Sequence, residues 1–307
     1  MTLFTPEEVI RKVKSGVQLR EAELSRLKLE TVNIDKAVFI NCYMRGAIFI
    51  DTSCKETNFK NTNLAFAKLT NVEGDRANLE RTELNSAILD GVSLNDANCY
   101  KAKFYGAKLN NLKAAHVNLS FADLRQASGK NIYFSSANLN KAFLSQAQFN
   151  EINLERATVT NAGFQAVVIN NSRWHKANLQ SSNFNKSKIN NAYFNDASLV
   201  NSQFIEAELN NLEFIAAELL ETNFSKAKLT NIKFIDSTLL SANLEGAYLS
   251  NIDFTNTNIQ DSNFENTTWQ NVNFVNCNVS GAVFSDAKGL TDEQTQWLKK
   301  NGALNVG

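Results

Sequence analysis

Two histidines, four cysteines and an even scatter of carboxylates are all this 307-residue chain offers for site chemistry. His116 and His175 stand 59 residues apart. A metal site needs several convergent His, Cys, Asp or Glu ligands. No glycine-rich phosphate loop leads from a strand into a helix. Ser, His and Asp occur, but nothing places them together as a triad. Cys42, Cys54, Cys99 and Cys277 are scattered and read as buried free thiols, which fits a reducing, cytoplasmic setting better than disulfides. The expectation is therefore a chain with no catalytic residues, no metal and no cofactor.

Lys+Arg and Asp+Glu are both 31. A neutral chain exerts no global pull on nucleic acid and is no uniformly acidic imitation of it. Lys28, Lys68, Lys108, Lys188 and Lys228 recur at spacings that are multiples of 20. Glu208 shares their phase, so solvated surface charge explains them. No run of some 18 apolar residues suggests a transmembrane helix. The start, Met1-Thr-Leu-Phe-Thr-Pro-Glu-Glu, lacks the basic and apolar regions of a secretory signal.

The elements that must position any site are set by a period of five. From Leu19 to Phe284 there are 54 pentad centres, and 49 hold Leu, Ile, Val, Met, Phe or Trp. Seventeen of the 21 phenylalanines are centres. Two residues before each centre, 40 of 54 positions are Ala, Ser, Thr or Cys. This period matches neither a helix nor a long alternating strand. It fits a short extended piece and then a corner, with the centre and the residue two before it facing inward.

A second period sets the number of sides. Val32, Val72, Val92, Leu112, Ile132, Ile152, Leu212, Ile232, Ile252 and Val272 enlarge the small position, all at multiples of 20. Asn precedes this position at 71, 111, 131, 171, 191, 211, 231, 251 and 271. Four pentads per coil keep these features in one column. The coil then has four sides and 20 residues, and about thirteen and a half coils at ~4.8 Å each make a rod ~65 Å long. Asn tolerates the left-handed region, and stacked Asn amides can bond along the column. Asn58, Asn78, Asn98, Asn118, Asn138 and Asn178 are expected to repeat the device in the next column.

Cys54, Gly74, Cys99, Ala114 and Gly129 break the centre pattern. Val72 and Leu112 can fill part of the space beside Gly74 and Ala114. Gly129 has no such neighbour, so a void, a water or a distorted corner is expected there. Thr5-Pro-Glu-Glu8 predicts a capped helix over residues 4–16, with a Phe4–Val9 staple and Gly16 at its end. Thr291-Asp-Glu-Gln294 predicts a second, with Trp297 and Leu298 over the last coil. The expected domains are an N-terminal capping helix (1–16), the repeat helix (17–287), and a C-terminal capping helix and tail (288–307).

Ala77-Asn-Leu79, Ala137-Asn-Leu139, Ala177-Asn-Leu179 and Ala242-Asn-Leu-Glu-Gly246 resemble the Ala-(Asp/Asn)-Leu-x-x consensus of the pentapeptide repeat family. The resemblance covers about 270 of the 307 residues. It implies an all-β solenoid, a right-handed four-sided β-helix of about 13 coils. The tail Lys288-Gly-Leu-Thr-Asp-Glu-Gln294 resembles those of cyanobacterial members. Some members bind DNA gyrase as DNA-like inhibitors or protectors, others bind regulatory proteins, and no catalytic motif is shared.

What remains for function is the exterior. Residues 205–221 hold five glutamates and no Lys or Arg. Val200, Leu220 and Leu240 share one outward column; Ile215 and Ile235 share another; Ile205 is a further outward aliphatic. Tyr100, Phe121 and Phe143 take outward phases expected near the Val200 edge. Such a cluster can mark a partner surface, or stacked aliphatics that simply stabilise the coil. The expected activity is protein binding or scaffolding, with Val200, Ile205, Ile215, Leu220, Ile235, Leu240, Glu208 and Glu218 as contacts. The partner is an unknown protein or a second copy, with no direct nucleic-acid contact and no membrane insertion. The alternative is a DNA-mimicking gyrase binder.

Overall fold

The computed structural model describes residues 4–307. Residues 1–3, part of the expected N-terminal cap, lie outside the described residues. The chain divides at Thr158/Val159 into two compact units. The first contains α1 (Pro6–Lys14), then β1 (Leu19–Arg20), β2 (Lys28–Glu30), β3 (Phe39–Ile40), β4 (Ile48–Ile50), β5 (Lys68–Thr70), β6 (Ile88–Asp90), β7 (Lys108–Asn110), β8 (Ser128–Tyr133) and β9 (Gln148–Asn153). The second contains β10 (Val168–Arg173), β11 (Lys188–Tyr193), β12 (Glu208–Glu213), β13 (Lys228–Lys233), β14 (Tyr248–Asp253), β15 (Thr268–Asn273) and α2 (Asp292–Lys300). Within each unit the strands pair in parallel, residue i opposite i+20, as Leu69 opposite Leu89 and Leu229 opposite Leu249. The coil is thus four pentads long, and the repeats wind a β-solenoid of about 13 turns in all.

Each pentad turns its corner in the same way. The residue two after every centre, from Glu21 to Asp286, has φ between 47° and 70°. Left-handed backbone costs an L-residue roughly 1–2 kcal/mol, least for Gly, Asn and Asp. The corner is held by hydrogen bonds in a fixed order. Around Leu64, the centre and the left-handed Phe66 donate N–H upward to Glu83 and Asn85 carbonyls, at 2.7 and 2.9 Å. Ala67 closes a local turn onto Leu64 at 3.0 Å, and Lys68 donates back to Ala47 at 2.8 Å. The leftover N–H is that of the residue just after the centre. Asn63 accepts it through its side chain, at 2.9 Å.

The two asparagine columns differ in their main role at the corner. Asn171 through Asn271 occupy left-handed corners and bond amide to amide up the column, at 2.8–3.1 Å from Asn191 to Asn271. Asn58, Asn78, Asn98, Asn118, Asn138 and Asn178 are not left-handed. Each accepts the N–H two residues on, at 3.0–3.2 Å. That is a side-chain turn over the corner, and part of the column also repeats the first device, Asn98 donating to the Asn78 amide oxygen at 3.3 Å and Asn118 to that of Asn98 at 3.2 Å.

Every centre is buried except Gly129. In the second unit the rings stack: Phe164, Phe184, Phe204 and Phe224 at 4.5–5.0 Å, and Trp174, Phe194, Phe214, Phe234, Phe254 and Phe274 at 4.9–5.8 Å. Offset or parallel aromatic contacts of this kind add to plain area burial. The small inward position hides hydroxyls that donate to a carbonyl of the preceding coil, as Thr82 to Phe59 at 2.8 Å and Thr222 to Leu199 at 2.9 Å. Two buried indoles use the same position: Trp174 donates to Ser172 at 2.9 Å and Trp269 to Thr267 at 2.7 Å.

The irregular centres resolve in two ways. An apolar cavity of about 20 Å³ lies beside Cys54, Val72 and Gly74, and one of about 10 Å³ beside Cys99, Leu112 and Ala114. Val72 and Leu112 fill the missing volume only in part. At Gly129 the backbone itself moves in: a Cβ would meet the Leu109 carbonyl oxygen at 2.0 Å. Between β7 and β8 only Lys108 and Ser128 stay paired. The distortion, of the three expected outcomes, is what this corner displays.

Both terminal helices carry reciprocal capping boxes, Thr5 with Glu8 and Thr291 with Gln294. Gly16 and Gly302 adopt φ of 76° and 87° beyond their ends. α1 covers Pro6–Lys14, shorter than the 4–16 expected, and buries Val9. In the second unit α2 sets Trp297 on Phe274, ring centroids 5.9 Å apart, and buries Leu298 completely. Gln294 also donates to the Val272 carbonyl at 2.8 Å, taking the place of a strand neighbour. No described helix is long and apolar enough to cross a membrane.

Two outcomes test this account of stability. Phe234→Ala should cost on the order of 3–5 kcal/mol in chemical denaturation, because a stacked column cannot close over the hole. Asn231→Ala should cost about 1–2 kcal/mol, from two lost amide bonds and a strained corner, whereas Asn231→Gly should cost less because it keeps the backbone ease.

Candidate functional site

The chemistry-bearing side chains point apart. All four cysteines are buried and free. Burial pushes the Cys99 and Cys277 thiols up to about 12, and raises Cys42 and Cys54 as well. His175 lies outward, its Nδ1 3.1 Å from the Asn195 carbonyl and 3.4 Å from Asp196. Among the described residues, no three His, Cys, Asp or Glu side chains are placed to hold a metal ion. In the second unit the lysine column forms a shallow groove from Lys188, Glu208 and Lys228, with Asn190, Asn210 and Thr230 beside them. Lys188 and Glu208 neutralise one another at 2.9 Å.

The outward aliphatics of the second unit occupy particular corners. Ile215 and Ile235 precede the left-handed residues Ala216 and Asp236 at one corner. Val200, Leu220 and Leu240 precede Asn201, Glu221 and Ser241 at the next. The side between these corners carries Ser198, Glu218 and Thr238 in register. Ile205 sits one side farther round, beyond Gln203 and Asn223, so it does not join the other five. All six are half-buried rather than exposed. The position just after a centre is partly covered by the coils above and below it.

The acidity of residues 205–221 is largely cancelled across coils. Lys186 pairs with Glu206 at 3.7 Å, Lys188 with Glu208 at 2.9 Å and Lys233 with Glu213 at 2.9 Å. The Glu213 hydrogen bond and charge raise the Lys233 pKa. Glu218 and Glu221 are exposed and, among the described residues, make no ion pair.

The most exposed aromatics are elsewhere. Tyr43, Tyr133, Phe143, Tyr193 and Tyr248 stand just before a centre on a flat side, 37–52 % exposed; Phe66 at a left-handed corner and Tyr105 just after a centre are also exposed, at 52 % and 40 %. The phase of the first five was the signal, had the three outward positions been distinguished. A second overlooked feature is charge: residues 101–150 hold seven Lys or Arg and a single acid, Asp123. Global neutrality conceals it. In the first unit Tyr100 meets Phe121 edge-on at 5.7 Å, Lys101 lies over both rings at 5.1 and 5.6 Å, and Lys141 over Phe121 at 5.5 Å.

Comparison with known proteins settles the family. Profiles described as pentapeptide repeats (8 copies) match residues 37–73, 75–111 and 115–156. Those described as a pentapeptide repeat region match 167–244 and 207–284. This chain belongs to the pentapeptide repeat family. No curated protein matches the sequence of this pentapeptide repeat protein. Among solved structures, QnrB1, a plasmid-mediated fluoroquinolone resistance protein, is 19% identical, covering 70% of this chain and 97% of its own, with a TM-score of 0.40. HetL, involved in heterocyst differentiation regulation in the cyanobacterium Nostoc, is 16% identical, covering 92% and 97%, with a TM-score of 0.25. A pentapeptide repeat protein of the Arabidopsis thaliana thylakoid lumen is 22% identical over 41% of this chain and 79% of its own, with a TM-score of 0.22.

The thiols give this protein a pH signature. Unfolded thiols ionise near their ordinary value of 9.0, while Cys99 and Cys277 stay protonated in the fold up to about 12. Their contribution is complete below pH 9 and falls as pH rises toward 12, so the denaturation midpoint should drop above about pH 9. A thiol reagent at neutral pH should label none of the four until the chain is unfolded.

Proposed function

We propose that this pentapeptide repeat protein is a non-catalytic binding protein that presents one side of its second unit to a protein partner. Two aliphatic corners, Ile215/Ile235 and Val200/Leu220/Leu240, border the unpaired carboxylate of Glu218. That juxtaposition carries the reading: apolar edges give contact area, and one free charge gives orientation. Glu208 contributes less, since Lys188 already neutralises it, and Ile205 lies outside the surface. The dispersed histidines and buried, protonated thiols support a role without catalysis. Four buried free thiols also suit a reducing compartment such as the cytoplasm.

A DNA-mimicking gyrase binder is the weaker reading. Mimicry needs a run of uncompensated carboxylates, and three of the five glutamates in 205–221 have lysine partners. A supercoiling assay separates the two: the purified protein in large molar excess should leave gyrase unaffected.

Affinity capture from a native host lysate should retain a specific protein with the wild type and lose it with Leu220→Glu/Leu240→Glu. Far-UV circular dichroism should stay unchanged, and melting should remain cooperative at a lower midpoint, because both leucines are half-buried. Equal capture by the double variant would reject this side as the binding surface.

A further inference from the structure

The basic segment of the first unit has no role in the reading above. Of its cations, Lys103 is held by Glu83 at 2.8 Å and Arg125 by Asp123 at 2.7 Å. Lys101, Lys108, Lys113, Lys130 and Lys141 are exposed and, among the described residues, reach no carboxylate; of these, Lys101 and Lys141 lie over aromatic rings. These two stand two coils apart in one column, roughly 10 Å at the usual strand spacing. Between them rises Phe121, with Tyr100 against it and Phe143 nearby, half of its surface exposed. A lysine over a ring face keeps its charge available to an anion on the far side. This strip therefore offers two open positive charges around an apolar centre.

The second unit offers the complement. Among its open negative charges, which include Asp236, Glu245, Asp286, Asp292 and Glu293, Glu218 and Glu221 stand three residues apart across one corner. Leu220 lies between them, with Val200 and Leu240 in its column. Open charges of opposite sign thus flank apolar centres on both surfaces. We infer that the partner is a second copy of this chain: the Lys101–Phe121–Lys141 strip of one protomer docks on the Glu218–Leu220–Glu221 corner of another. The inference rests on the reading of the Leu220/Leu240 side as a protein-binding surface, and names its occupant.

Nucleic acid fits the strip less well. Binding to a single strand uses a long basic track and open ring faces for base stacking. Here the lysines occupy the faces of Phe121, and acids flank the basic segment in sequence, Asp90 and Asp96 before it and Glu151 and Glu155 after it. A second copy brings the matching surface wherever the protein itself is present.

Sedimentation of the full chain at roughly 0.05 M and roughly 0.5 M salt tests this, since exposed charge pairs are screened at the higher value. The wild type should self-associate at low salt and weaken at high salt. Lys101→Glu/Lys141→Glu and Glu218→Lys/Glu221→Lys should each raise the dissociation constant at least about tenfold, and an equimolar mixture of the two should associate again because the reversed charges are complementary. Unchanged melting curves show that both variants fold. A wild type that stays monomeric at about 100 μM, variants that associate as the wild type does, or a mixture that does not recover would each overturn the inference. A monomeric wild type that still loses a captured protein on Leu220→Glu/Leu240→Glu overturns the second copy but leaves the binding surface standing. Tight binding of a labelled single-stranded oligonucleotide by a monomeric chain, lost in Lys101→Glu/Lys141→Glu, would assign the strip to nucleic acid instead.

Discussion

A left-handed residue at every fifth position is the constraint on which the rest depends. Only five of these corners are glycine: Gly46, Gly91, Gly106, Gly246 and Gly281. Corners such as Phe66, Lys176 and Glu206 hold side chains with no ease in that region. Each costs of order a kilocalorie per mole, so the corners taken alone oppose folding. What compensates is that the same corner aims three N–H groups at neighbouring coils and a fourth at a local turn, and brings a large apolar side chain inward. Burial contributes roughly 1.5–3 kcal/mol per centre. The bond ladder and the packed interior exist together or not at all.

That coupling explains why the architecture was legible in the sequence. The inward pair at each pentad admits few residue types, so Phe184, Phe204 and Phe224 announce the interior, and the column from Asn171 to Asn271 announces one corner. The 20-residue recurrence of Ile232 and Ile252 reports how many sides close a coil. Less legible were the irregular centres. Missing volume at Gly74 and Ala114 survives as small cavities because packed neighbours hold the coil open. At Gly129 the absence of a Cβ lets the backbone itself fill the space.

The exterior was read less well, for a physical reason. Inward positions are restricted by packing, while outward positions are restricted only by what lies one coil away. Glu213 reads as an acid in its own neighbourhood of sequence, yet its partner is Lys233, twenty residues on. Ile205 and Leu220 look alike in the sequence but stand at different corners. The three outward positions of a pentad are also unequal. Tyr193, just before a centre, projects from a flat side, whereas Leu240, just after one, is tucked against its neighbours. Surface chemistry in such a protein has to be read down columns rather than along the chain.

The strict register of twenty has a consequence for how such a chain can diversify. Within either unit, gain or loss of a whole coil lengthens or shortens the stack and leaves every column aligned. Gain or loss of a single pentad still places a centre at every fifth residue, but it breaks the stacked columns of rings and of Ile232 and Ile252 at that point. It also rotates all later residues by a quarter turn, so that Leu220 would cease to stand above Val200. Selection on stability would accept the first readily and the second only at the cost of one mismatched layer, whereas selection on a docking face would reject the second. Descendants that differ by five residues would thus inherit the scaffold with a reshuffled exterior, a route to new recognition without a single point mutation.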